Sequence, residues 1–133
     1  MLDYIITLPN FLAFLGTSIC LLVAFTAAYV WLTPQHEIAL IRHGNVSAAV
    51  VFGATVLGFA LPLASAMAHS VNLVDLLLWG AIACAMQALA SILLRMTIRD
   101  LRGHIEADRV AVAILMASFK VAFGLLNAAA VVY

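Results

Sequence analysis

Four apolar runs, each long enough to cross a bilayer and none carrying an acidic residue, occupy most of the chain: Phe11 to Leu32, Ala48 to Ala68, Leu76 to Leu94 and Val110 to Val132. A spanning helix needs about 20 apolar residues, because in lipid every backbone N–H and C=O must find its partner inside the segment. With 133 residues in all, little remains beyond the connections. The expected fold is therefore an all-α integral membrane bundle of four transmembrane helices, one domain over residues 1–133. Only 9% of residues are charged, against about 25% in soluble domains. The net charge is zero, which removes any global electrostatic case for nucleic acid. The first run is longer than a signal-peptide core and follows ten residues without Lys or Arg, so it reads as a retained span.

The connections carry the topology. "TPQHEIALIRHGN" opens with Thr33 and Pro34, a capping hydroxyl before a residue tolerated in a first helical turn, and Ile38, Leu40 and Ile41 with Glu37 and Arg42 suit a short interfacial helix. "HSVNLVD" is a brief turn holding Asp75, and "RMTIRDLRGHIEADR" is the most charged stretch. Arg42, Arg95, Arg99, Arg102 and Arg109 all fall in the first and third connections, whereas the N-terminus, second connection and C-terminus hold no Lys or Arg. The positive-inside bias then places both termini in the periplasm of a bacterial inner membrane. Trp31, Trp79, Tyr4 and Tyr133 lie where aromatic interface anchors belong. The segments after the two charged connections, "HGNVSAAVVFGATVLGFALPLASA" and "EADRVAVAILMASFKVAFGLLNAAA", also run alike from a polar residue into a small-residue-rich span, as in two parallel hairpin repeats.

Motifs for chemistry are lacking: there is no Walker A loop, no GxGxxG, no HExxH and no pair of intramembrane carboxylates. No catalytic residue, metal set or cofactor is expected, and the chain is not expected to be an enzyme. Cys20 and Cys84 fall far apart within apolar spans, and His36, His43, His69 and His104 lie at or beyond span ends, where solvated imidazole is the default. Small residues say more. Gly53, Ala60, Ala64 and Ala68 in the second span, and Ala113, Ala117, Gly124 and Ala128 in the fourth, form faces along which helices can approach closely. They serve helix packing within the bundle or, on the functional reading, a homo-oligomer lining a pore.

Lys120 stands in the middle of the last span, in "MASFKVAFGLLN". At 100° per residue it shares a sector with Ala113, Ala117, Gly124 and Asn127, with Leu115, Ala122, Leu125 and Ala129 opposite, so it should point into the bundle. Snorkelling would have to cross about 15 Å of hydrocarbon, beyond its reach. Pro62 lacks an N–H and frees the Gly58 carbonyl at a similar depth, where Gln87, Thr55 and Asn127 also offer acceptors. The expected polar cluster is therefore Lys120 held by the Gly58 carbonyl, with Gln87, Thr55 or Asn127 in support, and Lys120→Met should then destabilise the bundle. Such a lysine either lines a polar path or is a structural cation.

"TPQHE", the Gly44–Asn45 step into the second span, "GFALPLASA" with Pro62, "VDLLLWGAIACAMQ" and Asn127–Ala128 near the end resemble the YjfL family of small bacterial inner-membrane proteins, a domain of unknown function. The resemblance implies four spans and genomic company with phage-shock-type envelope-stress proteins and ATP-grasp ligases, a setting for which an ion-channel-like role has been proposed. It transfers no functional residue. The expected function is a non-enzymatic inner-membrane component of an envelope-stress or small-molecule-handling system, as an oligomeric channel or transport path. The alternative is a membrane scaffold recruiting a cytoplasmic partner through residues 33–47 and the basic residues 95–109 (Arg95, Arg99, Arg102, Arg109). Partners beyond the lipid bilayer and a second copy are not named by the residues.

Overall fold

The computed structural model describes residues 2–32 and 37–131. Six helices follow in order: α1 (Leu2–Leu32), α2 (Glu37–Arg42), α3 (Val46–His69), α4 (Leu73–Thr97), α5 (Leu101–Glu106) and α6 (Val110–Ala130). Four of them are long and apolar enough to cross a membrane, over Ile5–Leu32, Val46–His69, Leu73–Thr97 and Val110–Ala130. The fold is an all-α bundle of four membrane-spanning helices. Each span begins earlier than the apolar run it contains, or at the same residue. Asn45 caps α3 by accepting from Ala48 N, and Asn72 caps α4 by accepting from Asp75 N, so polar residues outside each run are drawn into the first turn. Thr33, Pro34, His36 and Tyr133 lie outside the described residues, as does the side chain of Tyr4. Trp31 is exposed, whereas Trp79 packs on an inner cluster.

The third connection departs from expectation. Rather than a charged loop, it contains α5, whose Leu101 and Ile105 are buried against Ala48, Val51, Leu94, Ala113 and Met116. Charge dominates the composition of this stretch, but two apolar residues four apart suffice to dock one helical turn. Arg102 pairs with Glu106 on the outer side of that turn at 2.9 Å, an exposed i,i+4 pair.

Helices α3 and α6 form the centre and share the most extensive interface; α4 packs on both, and α1 lies against α3 and α4. The centre closes on two glycines. A Cβ at Gly124 would stand 3.1 Å from both the Cα and the carbonyl oxygen of Gly58, and a Cβ at Gly58 would stand 2.5 Å from the Gln87 amide nitrogen. Backbone cannot yield as a side-chain tip can, so the crossing holds only without side chains there. Among the small residues singled out in the sequence, Ala113 and Gly124 are buried and Ala117 and Ala128 half-buried, so α6 spends its small face inside. On α3, Gly53, Ala64 and Ala68 are exposed and Ala60 is half-buried.

The two halves are a structural repeat. Adding 64 to the residue numbers of α2 (Glu37–Arg42) gives those of α5 (Leu101–Glu106), and the same shift carries the start of α3 onto that of α6. The turns match bond for bond. His43 N to Ala39 O, Gly44 N to Ile41 O and Asn45 N to Leu40 O recur as Ala107 N to Gly103 O, Asp108 N to Ile105 O and Arg109 N to His104 O. Gly44 and Asp108 both take the left-handed backbone, at φ 80° and 55°. The shift also superposes "GTSICLLVA" on "GAIACAMQA", pairing Gly16 with Gly80, Cys20 with Cys84 and Ala24 with Ala88. Each half runs toward the arginines, turns and returns, so the repeats are parallel.

The halves are laced together at this Arg-rich end. Asn45 donates through Nδ2 to the Ile105 carbonyl at 2.8 Å, and Asp108 accepts from the Ser47 N–H at 2.9 Å, a carboxylate on the first turn of a helix from the other repeat. That N–H holds the Asp108 carboxyl below its ordinary value. The folded carboxyl thus releases its proton more readily than the unfolded one. The brace is fully present above the ordinary carboxylate range and is lost as pH falls through the folded value. Asp108→Gly keeps the left-handed backbone and removes the carboxylate. Its thermal midpoint should lie below that of the parent protein at pH 7, and the gap should close below about pH 4. A gap that stays constant from pH 7 to pH 3 would contradict this role.

A buried ammonium between three helices

Lys120 is 1% exposed and points into the bundle, with its sector partners Ala113 and Gly124 buried and Leu115, Ala122, Leu125 and Ala129 on the open side. Its ammonium donates to Thr55 Oγ1 at 2.7 Å and to the Tyr29 hydroxyl at 3.0 Å, and lies 4.5 Å from the centroid of the Tyr29 ring. Three helices thus meet at one cation: α6 supplies it, α3 and α1 receive it. Thr55 in turn donates to the Val51 carbonyl, and Tyr29 is steadied edge-on by Phe59, with centroids 6.0 Å apart. The hydroxyls and the ring face attract the charge. Hydrogen bonds to a charged group are worth about 1.5–3 kcal/mol each and a desolvated cation–π contact up to about 2 kcal/mol. A lysine at the centre of a spanning helix costs about 2.5–3.5 kcal/mol, so these contacts meet or exceed the cost of burial.

Of the polar residues expected around Lys120, Thr55 and Gln87 reach it and Asn127, two turns further along α6, does not. Thr55 does hold the ammonium. Gln87 Nε2 instead donates to the main-chain carbonyl of Lys120 at 3.0 Å, and Asn127 Nδ2 donates to the Ala83 carbonyl at 2.8 Å. The Gly58 carbonyl, freed by the buried Pro62, faces Gly124. Helix direction explains the difference. Carbonyls point toward a helix C-terminus and side chains lean toward its N-terminus. With α3 and α6 both starting at the Arg-rich end, the Gly58 carbonyl points away from that end while Lys120 descends toward it. Tyr29 was missed because it stands only three residues from the end of its span in residue count; the lean of Lys120 is what lowers the ammonium to its level.

The basic residues of the third connection are dispersed. Arg95 belongs to the last turn of α4, half-buried, Arg99 is exposed, Arg102 pairs with Glu106, and Arg109 caps α6 while its Nη1 donates to His104 Nδ1 at 2.8 Å. Among the described residues no three His, Cys, Asp or Glu side chains come together. Cys20 is exposed and Cys84 buried, so the two thiols are in different surroundings despite their matched places in the repeat.

This arrangement alters what Lys120→Met should do. The Gln87 bond is to main chain and survives the change, and Thr55 keeps its own acceptor on Val51, so neither of these two is orphaned when the ammonium goes. Replacing a buried charge by an apolar side chain of similar volume is often neutral or stabilising. The thermal midpoint of Lys120→Met in lipid nanodiscs should equal or exceed that of the parent protein. A fall of more than a few degrees would mean that the ammonium is a structural tie.

The family model described as Domain of Unknown Function (DUF350) matches residues 3–131. The chain is 31% identical over 123 residues to the UPF0719 inner membrane protein YjfL of Escherichia coli (strain K12), covering 92% of this chain and 93% of that protein, and equally so to the protein of the same name from Escherichia coli O157:H7. No solved structure gives a significant match.

Proposed function

The chain belongs to the DUF350 family of membrane proteins, and we propose that it is a non-enzymatic inner-membrane component that self-associates into a channel or transport path, with its Arg-rich end in the cytoplasm and both termini in the periplasm. The observation that carries this reading is the Lys120 pocket. Among the described residues two hydroxyls and a ring face receive this cation inside the bilayer, whereas the equivalent place in the first repeat is filled by Val56. A cation buried within a spanning helix is the mark of a path for something polar. Within the four spans the one carboxylate among the described residues is Asp75, in the first turn of α4 at the end away from the arginines. The pocket is therefore suited to a solute that tolerates positive charge. Envelope-stress or small-molecule handling is the setting that fits such a path.

Self-association is supported by the exposed face of α3. Ala49, Gly53, Ala64 and Ala68 lie outward, and a groove of about 470 Å³ lined by Gly53, Ala54, Ala117 and Ser118 runs between α3 and α6. A Cβ at Gly53 would meet nothing within 4 Å, so a substitution there disturbs association without disturbing the fold. Gly53→Leu should weaken self-association in lipid by roughly tenfold, which dilution in bilayers measures as a shift of about 1.4 kcal/mol. A parent protein that stays monomeric at every dilution would end this reading.

A scaffold that recruits a cytoplasmic partner remains the second reading, favoured by the docking of α5. Leu101 and Ile105 anchor the turn so that Arg99, Arg102 and Glu106 stand outward on a fixed platform. Both readings need the same orientation. In protein lacking Cys20 and Cys84, an impermeant thiol reagent applied to intact cells should label Ala130→Cys and spare Arg102→Cys. The reverse pattern would invert the topology.

A further inference from the structure

The repeat makes a comparison possible inside one chain. In the first half, Val23, Ala27, Trp31 and Val56 line an apolar groove of about 500 Å³ between α1 and α3, open to the side. Shifted by 64, these positions are Gln87, Ser91, Arg95 and Lys120. Every one of the four is polar or cationic in the second half. The rest of the groove's lining, Leu22, Thr26, Val30, Ile38 and Phe52, maps to Met86, Ala90, Leu94, Arg102 and Met116, so the polar file runs along one side of the corresponding place. Gln87, Ser91 and Lys120 are each no more than 2% exposed.

Gln87, Ser91 and Arg95 recur every four residues and so share one face of α4, covering about 12 Å at 1.5 Å per residue. The file starts at the half-buried Arg95 on the Arg-rich end and stops beside Lys120, whose carbonyl receives Gln87. Two atoms along it are buried and without a hydrogen-bond partner among the described residues: Gln87 Oε1, an acceptor, and Arg95 Nη1, a donor. An anion could satisfy only the donor and a metal cation only the acceptor. Water satisfies both, and buried water is where such groups ordinarily find their bonds. At the Arg-rich end the file runs beside the apolar cluster of Leu94, Val51 and Met116, and beyond Gln87 apolar residues take over its line, with Cys84, Phe59 and Leu63, then Ala66, Leu76, Ala83 and Val131.

From this we propose that the second repeat holds a one-sided water inlet, running from Arg95 past Ser91 to Gln87 and Lys120, which opens Lys120 to solution at the Arg-rich end and to no other side. The inlet lies within one protomer and stands whether or not the protein self-associates.

The test uses silver ion, a thiol probe no larger than a dehydrated potassium ion, on single cysteines in the Cys20- and Cys84-free protein in chloride-free liposomes. Thiols react as thiolates, which form in water and not in hydrocarbon. Silver applied at the Arg-rich side should block Ser91→Cys at least tenfold faster than its repeat counterpart Ala27→Cys, and silver applied at the opposite side should not. A protein restored to Cys84 alone should stay unblocked, since Cys84 lies one turn past the end of the file. Equal rates at positions 91 and 27, or equal rates from the two sides, would overturn the inlet. The unaltered protein supplies the second readout. In a density map that resolves interior waters, one should stand within hydrogen-bond distance of Gln87 Oε1, and its absence there would also overturn the proposal.

Discussion

Everything polar in this bundle depends on a contact that involves no polar side chain: the crossing of α3 over α6 at Gly58 and Gly124. Without Cβ atoms the two backbones approach within a distance that other residues would forbid. That approach leaves room for the Gln87 amide over Gly58 and puts the main chain of Lys120 within its reach. It also brings Thr55 under the lysine side chain. In water such a crossing would be aided by expulsion of solvent from apolar surface. In lipid there is no such force between helices, and close packing with hydrogen bonds between spans must do the work.

The matched halves give the crossing its symmetry, and their different side chains give the protein its asymmetry. The turns at the Arg-rich end superpose bond for bond, and each half returns through a helix capped at the matched residue, Asn45 or Arg109. The side chains lining the interior do not superpose. Tyr29 corresponds to Leu93 and Thr55 to Phe119, as Val56 does to Lys120. Each copy is polar where the other is apolar: the first supplies the hydroxyls of Tyr29 and Thr55, and the second the Gln87 amide and the Lys120 cation.

The span count, the all-α class and the inward direction of Lys120 were legible in the chain because they follow from local rules. Apolar run length reports bilayer thickness, and helical spacing alone placed Lys120 with Ala113 and Gly124. The docking of α5 was not legible, since a six-residue turn has too little periodicity to stand out from the charges around Leu101 and Ile105. The repeat showed weakly as shared composition and became plain only when a constant shift aligned turns whose hydrogen bonds, not residues, are conserved between halves.

What the sequence by itself determined is depth: which residues lie at which level of the bilayer, because rise per residue and span ends decide it. Thr55, Gln87, Gly58 and Lys120 were put near one level on that basis, and the contacts join them there, whereas Asn127 lies two turns further along α6. What only the tertiary structure decided is which of them touch. Depth leaves the rotation of each helix about its neighbours open, and the pairing rests on the direction in which carbonyls and side chains lean at the crossing. Thr55 and Tyr29 lie on the N-terminal side of Lys120 and receive its ammonium, while the Gly58 carbonyl points the other way and meets Gly124.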